Sequence, residues 1–307
     1  MKSSDSSLAS PATTPAALNL TAGWRDYLAL TKPRVISLLL FTTLASLYIG
    51  AAGKHPITFA LFVAVAIGGY MIAGAANTIN MIIDQDIDIR MARTAQRPIV
   101  TSTVSRRDAI VFTGVLMVLS NYLLQHYGGT LSALLADAGL LFYVVIYTLL
   151  LKRRTWHNIV IGGAAGCFPA LVGWAAAEHS LAPLAWILFA IVFFWTPVHF
   201  WALALLLKDD YAAANIPMLP VVRGERQTVI QIAVYMVLTV IISLVPAVLH
   251  DTGVTYLVSA VILNVLLAYY TVGLVKVIER KQALWLFKYS MIYLALLFLM
   301  MAIDRCH

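Results

Sequence analysis

Asn80-Met81-Ile82-Ile83-Asp84-Gln85-Asp86-Ile87-Asp88-Ile89-Arg90 closes an apolar run that begins near residue 57, and the way that run ends organises the rest of the chain. A run of this length crosses a bilayer as an α-helix. Three carboxylates then follow within five positions of a chain that is only 11% charged. If the helix continues through them, Asn80, Asp84 and Asp88 stand at i, i+4 and i+8 on one face, and Asp86 points away. Two carboxylates one turn apart, above an amide, form an oxygen ligand set of the kind Mg²⁺ accepts while keeping waters and phosphate oxygens as its other ligands. Arg90, Arg93 and Arg97 place cations where an anionic substrate would lie. A solvated loop whose acids balance neighbouring arginines fits the same residues, because charge at a membrane edge is not costly.

Composition fixes the class around that stretch. With 61% hydrophobic residues and a mean hydropathy of +0.86, the chain cannot be covered by a polar exterior. The apolar matter comes in runs of about 20 residues, without the alternation of a membrane barrel, so the expected fold is an all-α polytopic bundle. The expected spans are 35–53, 57–83, 108–126, 129–151, 157–177, 182–207, 227–249, 252–275 and 283–303, nine in all. Residues 1–23, rich in Ser, Ala, Thr and Pro, read as a disordered cytoplasmic tail, and 24–307 as a single transmembrane domain. Cys167 and Cys306 have no metal or haem-attachment spacing.

The +7 charge reports topology and not nucleic acid, since the cations are spread over short loops. All of the 21 basic residues except Lys54 and Arg305 fall in the N-terminal tail and the even-numbered loops. The positive-inside rule then puts the N-terminus in the cytoplasm and the C-terminus in the periplasm of a bacterial inner membrane. Both acidic clusters share the cytoplasmic side. The second, Lys208-Asp209-Asp210-Tyr211, follows the sixth span about 125 residues after the first, which hints at a duplicated unit.

Span four ends Tyr147-Thr148-Leu149-Leu150-Leu151-Lys152-Arg153-Arg154, bringing a phenol and three cations to the acidic side. A plain positive-inside anchor reads equally well there. His199 lies within span six among Trp195, Pro197 and Trp201, and an ionisable group inside lipid is a functional candidate by default. The glycines of spans two and five read as packing positions.

Carboxylates and cations at helix ends, over a large apolar interior, suit a substrate with a diphosphate head and a lipid tail. A metal on the carboxylates would steady the leaving diphosphate, Lys and Arg would take its growing charge, and the bundle would exclude water. Intramembrane acids and a repeat would equally serve a transporter, though that function needs no Arg93-Thr-x-x-Arg97-Pro98 string beside its acids.

Asn80-x-x-x-Asp84-x-x-x-Asp88 with Arg93-Thr-x-x-Arg97-Pro98 resembles the first aspartate-rich motif of the UbiA-type membrane prenyltransferases. Three further stretches resemble the haem-modifying branch, the protohaem IX farnesyltransferases. They are Tyr147-Thr-x-x-x-Lys152-Arg153-x-Thr155-x-His157-Asn158-Ile159, Phe194-Trp195-Thr196-Pro197-x-His199-Phe200-Trp201, and Asp210-Tyr211-x-x-x-Asn215-Ile216-Pro217-Met218-Leu219-Pro220. The resemblance covers roughly residues 25 to 300 and implies a central cavity that takes farnesyl diphosphate with Mg²⁺ and haem B as acceptor.

It further implies Asp84, Asp88 and Asp210 as metal ligands, with Asn80 in support, and Arg93, Arg97, Lys152 and Arg153 on the diphosphate. Tyr147, His199 and Tyr211 fall among the substrate contacts, and haem-handling or terminal-oxidase assembly proteins are the implied partners. Two positions depart from the wider family. Met81 stands where Asp often follows the first Asn, and Leu206 precedes Asp210 where the second motif usually has acids four apart. A relative acting on hydroxybenzoate or a quinone precursor is the nearest alternative.

Overall fold

The computed structural model describes residues 22–306 apart from 53 and 55, so the expected disordered tail lies outside the described residues except for Ala22 and Gly23. Among the described residues there is no strand. Lipid offers no water to satisfy backbone N–H and C=O groups, and helices satisfy their own. In chain order the elements are α1 (Trp24–Thr31), α2 (Pro33–Ala51), α3 (Phe59–Ile83), α4 (Gln85–Asp88) and α5 (Arg106–Leu141), which continues as a π-helix (Phe142–Leu151). Next come α6 (Asn158–Gly162), a 3₁₀ stretch (Gly163–Cys167), α7 (Phe168–Glu178), α8 (Pro183–Leu206), α9 (Lys208–Ala213) and α10 (Leu219–Val222). The chain closes with α11 (Gly224–Val248), α12 (Val254–Lys276) and α13 (Arg280–Cys306).

Eight helices among the described residues are long and apolar enough to cross a membrane, and one of them, Arg106–Leu151, has 46 residues. That is about twice what one crossing needs. Its backbone leaves helical geometry at Gly129, with φ 82° and ψ 162°, a conformation open to glycine and strained for other residues. Asn121 Nδ2 donates to Asp137 Oδ1 at 2.9 Å, whereas residues that far apart in one straight helix would be separated by about 24 Å. The segment is therefore a hairpin, and its arms are the expected third and fourth spans. With that hairpin counted by its two arms, the described residues hold about nine segments of crossing length.

In lipid, helices hold together by close approach and hydrogen bonds more than by hydrophobic driving force. At Gly173 a Cβ would stand 1.9 Å from the backbone oxygen of Thr43, so glycine sets the spacing of α7 on α2. The larger apolar cluster joins α7, α8, α11, α12 and α13, and a second joins α2, α3 and α5. The expected fifth span is interrupted, with α6, the 3₁₀ stretch and α7 in series.

Polar contacts gather at two poles. At one, Arg153 meets Asp86, Arg223 lies 5.8 Å from the Trp156 ring centre, Lys208 pairs with Glu225 at 2.9 Å, and Arg280 donates to the Leu206 carbonyl at 3.1 Å. At the other, Lys54 pairs with Glu178 at 3.6 Å and Arg305 donates to the Ile49 carbonyl at 3.1 Å. There Asp304 accepts from the backbone N–H groups of Gly253 and Tyr256, capping α12 from the end of α13. Lys54 and Arg305, the two cations that the loop pattern sets apart, share this second pole.

Candidate active site

The acidic face is built by a helix that breaks without losing register. α3 stops at Ile83, and Asp84 caps it with φ −91° and ψ 11°. The Asp84 amide donates to the Asn80 carbonyl at 2.9 Å and the Asp88 amide to the Asp84 carbonyl at 2.8 Å. These two i to i+4 bonds carry Asn80, Asp84 and Asp88 across the break, where the Ile87 amide takes a tighter i to i+3 bond to the Asp84 carbonyl at 3.0 Å. All three are buried, with Asp84 at 0% exposure.

Carboxylates withdrawn from water require partners, and each has them. Asp84 Oδ2 accepts from Asn80 Nδ2 at 2.7 Å and from Lys152 Nζ, and Asp84 Oδ1 accepts from Arg153 Nη2 at 3.3 Å. Asp88 Oδ2 accepts from Arg97 Nη1. Asp86 points outward, as expected, yet it takes both terminal nitrogens of Arg153 at 2.8 Å. That hydrogen bonding holds its carboxyl below the usual range.

Lys32 belongs to this face and is not among the residues that the motifs single out. It sits between α1 and α2 at φ 56°, a left-handed conformation uncommon outside glycine, and its Nζ donates to Asn80 Oδ1 at 3.0 Å. Burial, followed by the charges of Arg97 and Lys152, pushes its ammonium pKa well down. The only signal in Thr31-Lys32-Pro33-Arg34 is a cation beside the proline that opens a span, which reads simply as topology.

The π-helix aims a second set of groups. Its widened turn appears in the bond from the Lys152 amide to the Tyr147 carbonyl, 2.8 Å, and from Thr148 Oγ1 to the Tyr143 carbonyl, 2.9 Å. Residues five apart then share a side. Thr148 accepts from Asn80 Nδ2 at 3.2 Å, and Lys152 reaches Asp84 one turn further on. Such wide turns are frequent at functional sites.

The second acidic cluster sits on α9, just past α8. Asp209 is exposed and Asp210 half-buried, and among the described residues neither forms an ion pair. Burial raises the Tyr211 phenol while nearby Arg93 opposes the rise. Arg93 lies near both phenols, Tyr147 on the π-helix and Tyr211 on α9 itself. Among the described residues no three Asp, Glu, His or Cys side chains meet as one metal site.

His199 is 8% exposed and lies at the interface of α8 and α13. Its Nδ1 is 2.8 Å from Ser290 Oγ, and its ring stacks on Trp195 and Phe287, with centres 4.6 Å and 4.7 Å away. α8 stays helical through Pro197. The acidic face itself presents oxygen donors without sulfur or imidazole, which suits a hard cation. Both Asp84 oxygens are engaged by Asn80, Lys152 and Arg153, so a cation there would compete with Lys152 and Arg153, whereas at Asp88 only Oδ2 is taken, by Arg97.

The sequence profile of the UbiA prenyltransferase family matches residues 39–300. The chain belongs to the UbiA prenyltransferase family. UbiA-type relatives named protoheme IX farnesyltransferase include one from Deinococcus radiodurans, 52% identical over 92% of this chain and 94% of its own length. Another, from Thermus thermophilus, is 60% identical over 92% of this chain but 46% of its own length. The chain thus spans about half the length of that relative.

Among solved structures, digeranylgeranylglyceryl phosphate synthase superposes with a TM-score of 0.75 at 19% identity, covering 92% of this chain and 98% of the other. A UbiA homolog from Archaeoglobus fulgidus bound to DMAPP and Mg²⁺ gives 0.65 at 16% identity, covering 91% and 99%. The UbiA fold is common to all three.

Proposed function

We propose that this chain transfers the farnesyl group of farnesyl diphosphate to a vinyl group of haem B, giving haem O and diphosphate. The observation that carries the reading is a buried oxygen face, Asn80, Asp84 and Asp88, ringed by Lys32, Arg97, Lys152 and Arg153. Haem as acceptor follows from the relatives that bear that name and from the His157-Asn158-Ile159 and Asn215-Ile216-Pro217 stretches. A bond forms between farnesyl C1 and the terminal vinyl carbon as the bond from C1 to the diphosphate oxygen breaks. The oxygen of one water adds to the inner vinyl carbon, and a proton leaves.

In this reading Asp84 and Asp88 hold Mg²⁺, which neutralises the diphosphate when bound, and Asp210 faces the same group from α9. Lys152 and Arg97, released from the carboxylates, turn to the phosphate oxygens, and Arg93 and Arg153 complete the cationic ring. Tyr147 and Tyr211 border the allylic end, and His199 lines the acceptor side. Asn80 is kept in place by Lys32 and Thr148. The basic pole is cytoplasmic in a bacterial inner membrane, with the C-terminus periplasmic, and haem-handling or terminal-oxidase assembly proteins are the partners.

The test incubates membranes carrying the full chain with farnesyl diphosphate, haem B and Mg²⁺, and looks for haem O by chromatography and mass. Product that disappears on chelation and returns with Mg²⁺ is the expected result. Unmodified haem, with hydroxybenzoate prenylated instead, would move the chain to the aromatic-acceptor branch.

A further inference from the structure

A groove of about 660 Å³ lies between α12 and α13, away from the acidic face. Val265, Tyr269 and Val272 on α12 face Trp285 on α13, and Lys276 and Lys281 close one end. From Val265 to Lys276 the helix rises about 16 Å, close to half of a hydrocarbon core of about 30 Å. The groove is thus one leaflet deep. Tyr269 is 70% exposed and Val265 62%, so it opens to the surroundings of the bundle and not to its interior.

The closed end is basic and unneutralised. Among the described residues neither Lys276 nor Lys281 forms an ion pair, and the nearby Glu279 lines a separate small pocket with Glu225 and Arg280. Arg280 bonds to the end of α8, which puts both lysines at the basic pole, at the depth of lipid headgroups.

We propose that this groove seats one anionic phospholipid of the surrounding bilayer. Its phosphate rests between Lys276 and Lys281, and one acyl chain lies along Val265, Tyr269, Val272 and Trp285. An apolar channel one leaflet deep that ends in two ammonium groups matches an amphiphile with a negative head. Tyr and Trp belong at that interface. A zwitterionic lipid would bring its own cation against the lysines, and a soluble anion would leave the apolar wall unused.

Native mass spectrometry of the delipidated full chain in detergent, titrated with phosphatidylglycerol or phosphatidylcholine, tests the site. One phosphatidylglycerol is retained per chain, and phosphatidylcholine binds about tenfold more weakly. Lys276→Ala with Lys281→Ala weakens phosphatidylglycerol by about tenfold or more without moving the unfolding temperature of the lipid-free protein. Arg106→Ala with Arg107→Ala, which removes two exposed cations of the same pole outside the groove, leaves the lipid bound. Should the lysine variant fold poorly, Val265→Trp fills the groove with both lysines intact and also expels the lipid. Equal retention of the two lipids, or a lysine or Val265→Trp variant that binds as before, overturns the site. Displacement of the lipid by farnesyl diphosphate or haem also overturns it, by giving the groove to a substrate.

Discussion

The two acidic clusters are built on the same plan and finished differently. In each, a long apolar helix breaks at a cap, with φ −91° and ψ 11° at Asp84 and φ −114° and ψ 21° at Leu207, and a short helix then carries the acids. At the first break the capping residue is itself an acid, fully buried and held by Asn80, Lys152 and Arg153. At the second the cap is a leucine, and exposed Asp209 and half-buried Asp210 form no ion pairs among the described residues. Similar helix breaks thus leave their acids in opposite environments, one dry and paired, the other open. The first cluster ties separate parts of the chain together through Lys152, Arg153 and Arg97, whereas no ion pair among the described residues ties the second to the rest of the bundle.

The sharpest way to break that comparison is to remove one acid from each cluster. Asp84→Ala is expected to lower haem O formation by about 10³-fold and, because Lys152 is left in a dry site without its counter-charge, to lower stability by about 3–5 kcal/mol. Asp210→Ala is expected to lower turnover by about 10²-fold with an unchanged unfolding temperature. Paired measurements of product and of thermal unfolding in detergent separate the two. If Asp210→Ala also unfolds the protein, or Asp84→Ala leaves its stability untouched, the clusters do not differ as described.

A smaller effect sharpens the first cluster. Lys32→Ala removes a cation from the ring and the hydrogen bond that orients Asn80. It is expected to raise KM for farnesyl diphosphate about tenfold or more, with a lesser fall in kcat, and Lys32→Arg is expected to restore part of the loss. Steady-state kinetics at saturating haem give that split. A fall confined to kcat would make Lys32 a support for Asn80 and nothing more.

Much of this is legible from residue spacing. Apolar runs mark the crossings, and i+4 arithmetic brings Asn80, Asp84 and Asp88 together because the Asp84 and Asp88 amides keep their i to i+4 bonds across the break. Lys54 and Arg305 share one pole while Arg153, Lys208, Arg223 and Arg280 share the other, since few cations are tolerated elsewhere in lipid. Other features carry no signal of that kind. Lys152 and Asp84 meet across 68 residues, and nothing local encodes a contact at that range. The π-helix is hidden because Phe142–Leu151 is apolar apart from Tyr143, Tyr147 and Thr148, too few polar positions to reveal a turn of five residues. Lys32 reads as a topological cation in the sequence, since only the αL turn at the head of α2 reveals that its side chain points inward.

The smallest expected effect tests the boundary between the buried face and its rim. Asp86 shares Arg153 with Asp84, but its side chain is 60% exposed where that of Asp84 is 0%. Water screens the outer pair, so Asp86→Asn is expected to cost under about 1 kcal/mol and to leave turnover within about twofold. The sign with pH follows from a carboxyl held below its usual value by Arg153. The pair's contribution is present above the unfolded carboxylate range near pH 4 and is lost as pH falls through the lower folded value. Thermal unfolding of Asp86→Asn and the parent chain should therefore differ slightly at pH 7, and the difference should shrink as pH is lowered below the unfolded carboxylate range. An Asp86→Asn variant as inactive as Asp84→Ala would show that Arg153 needs both acids to stay in place, and the buried face would then extend one residue further out than its burial indicates.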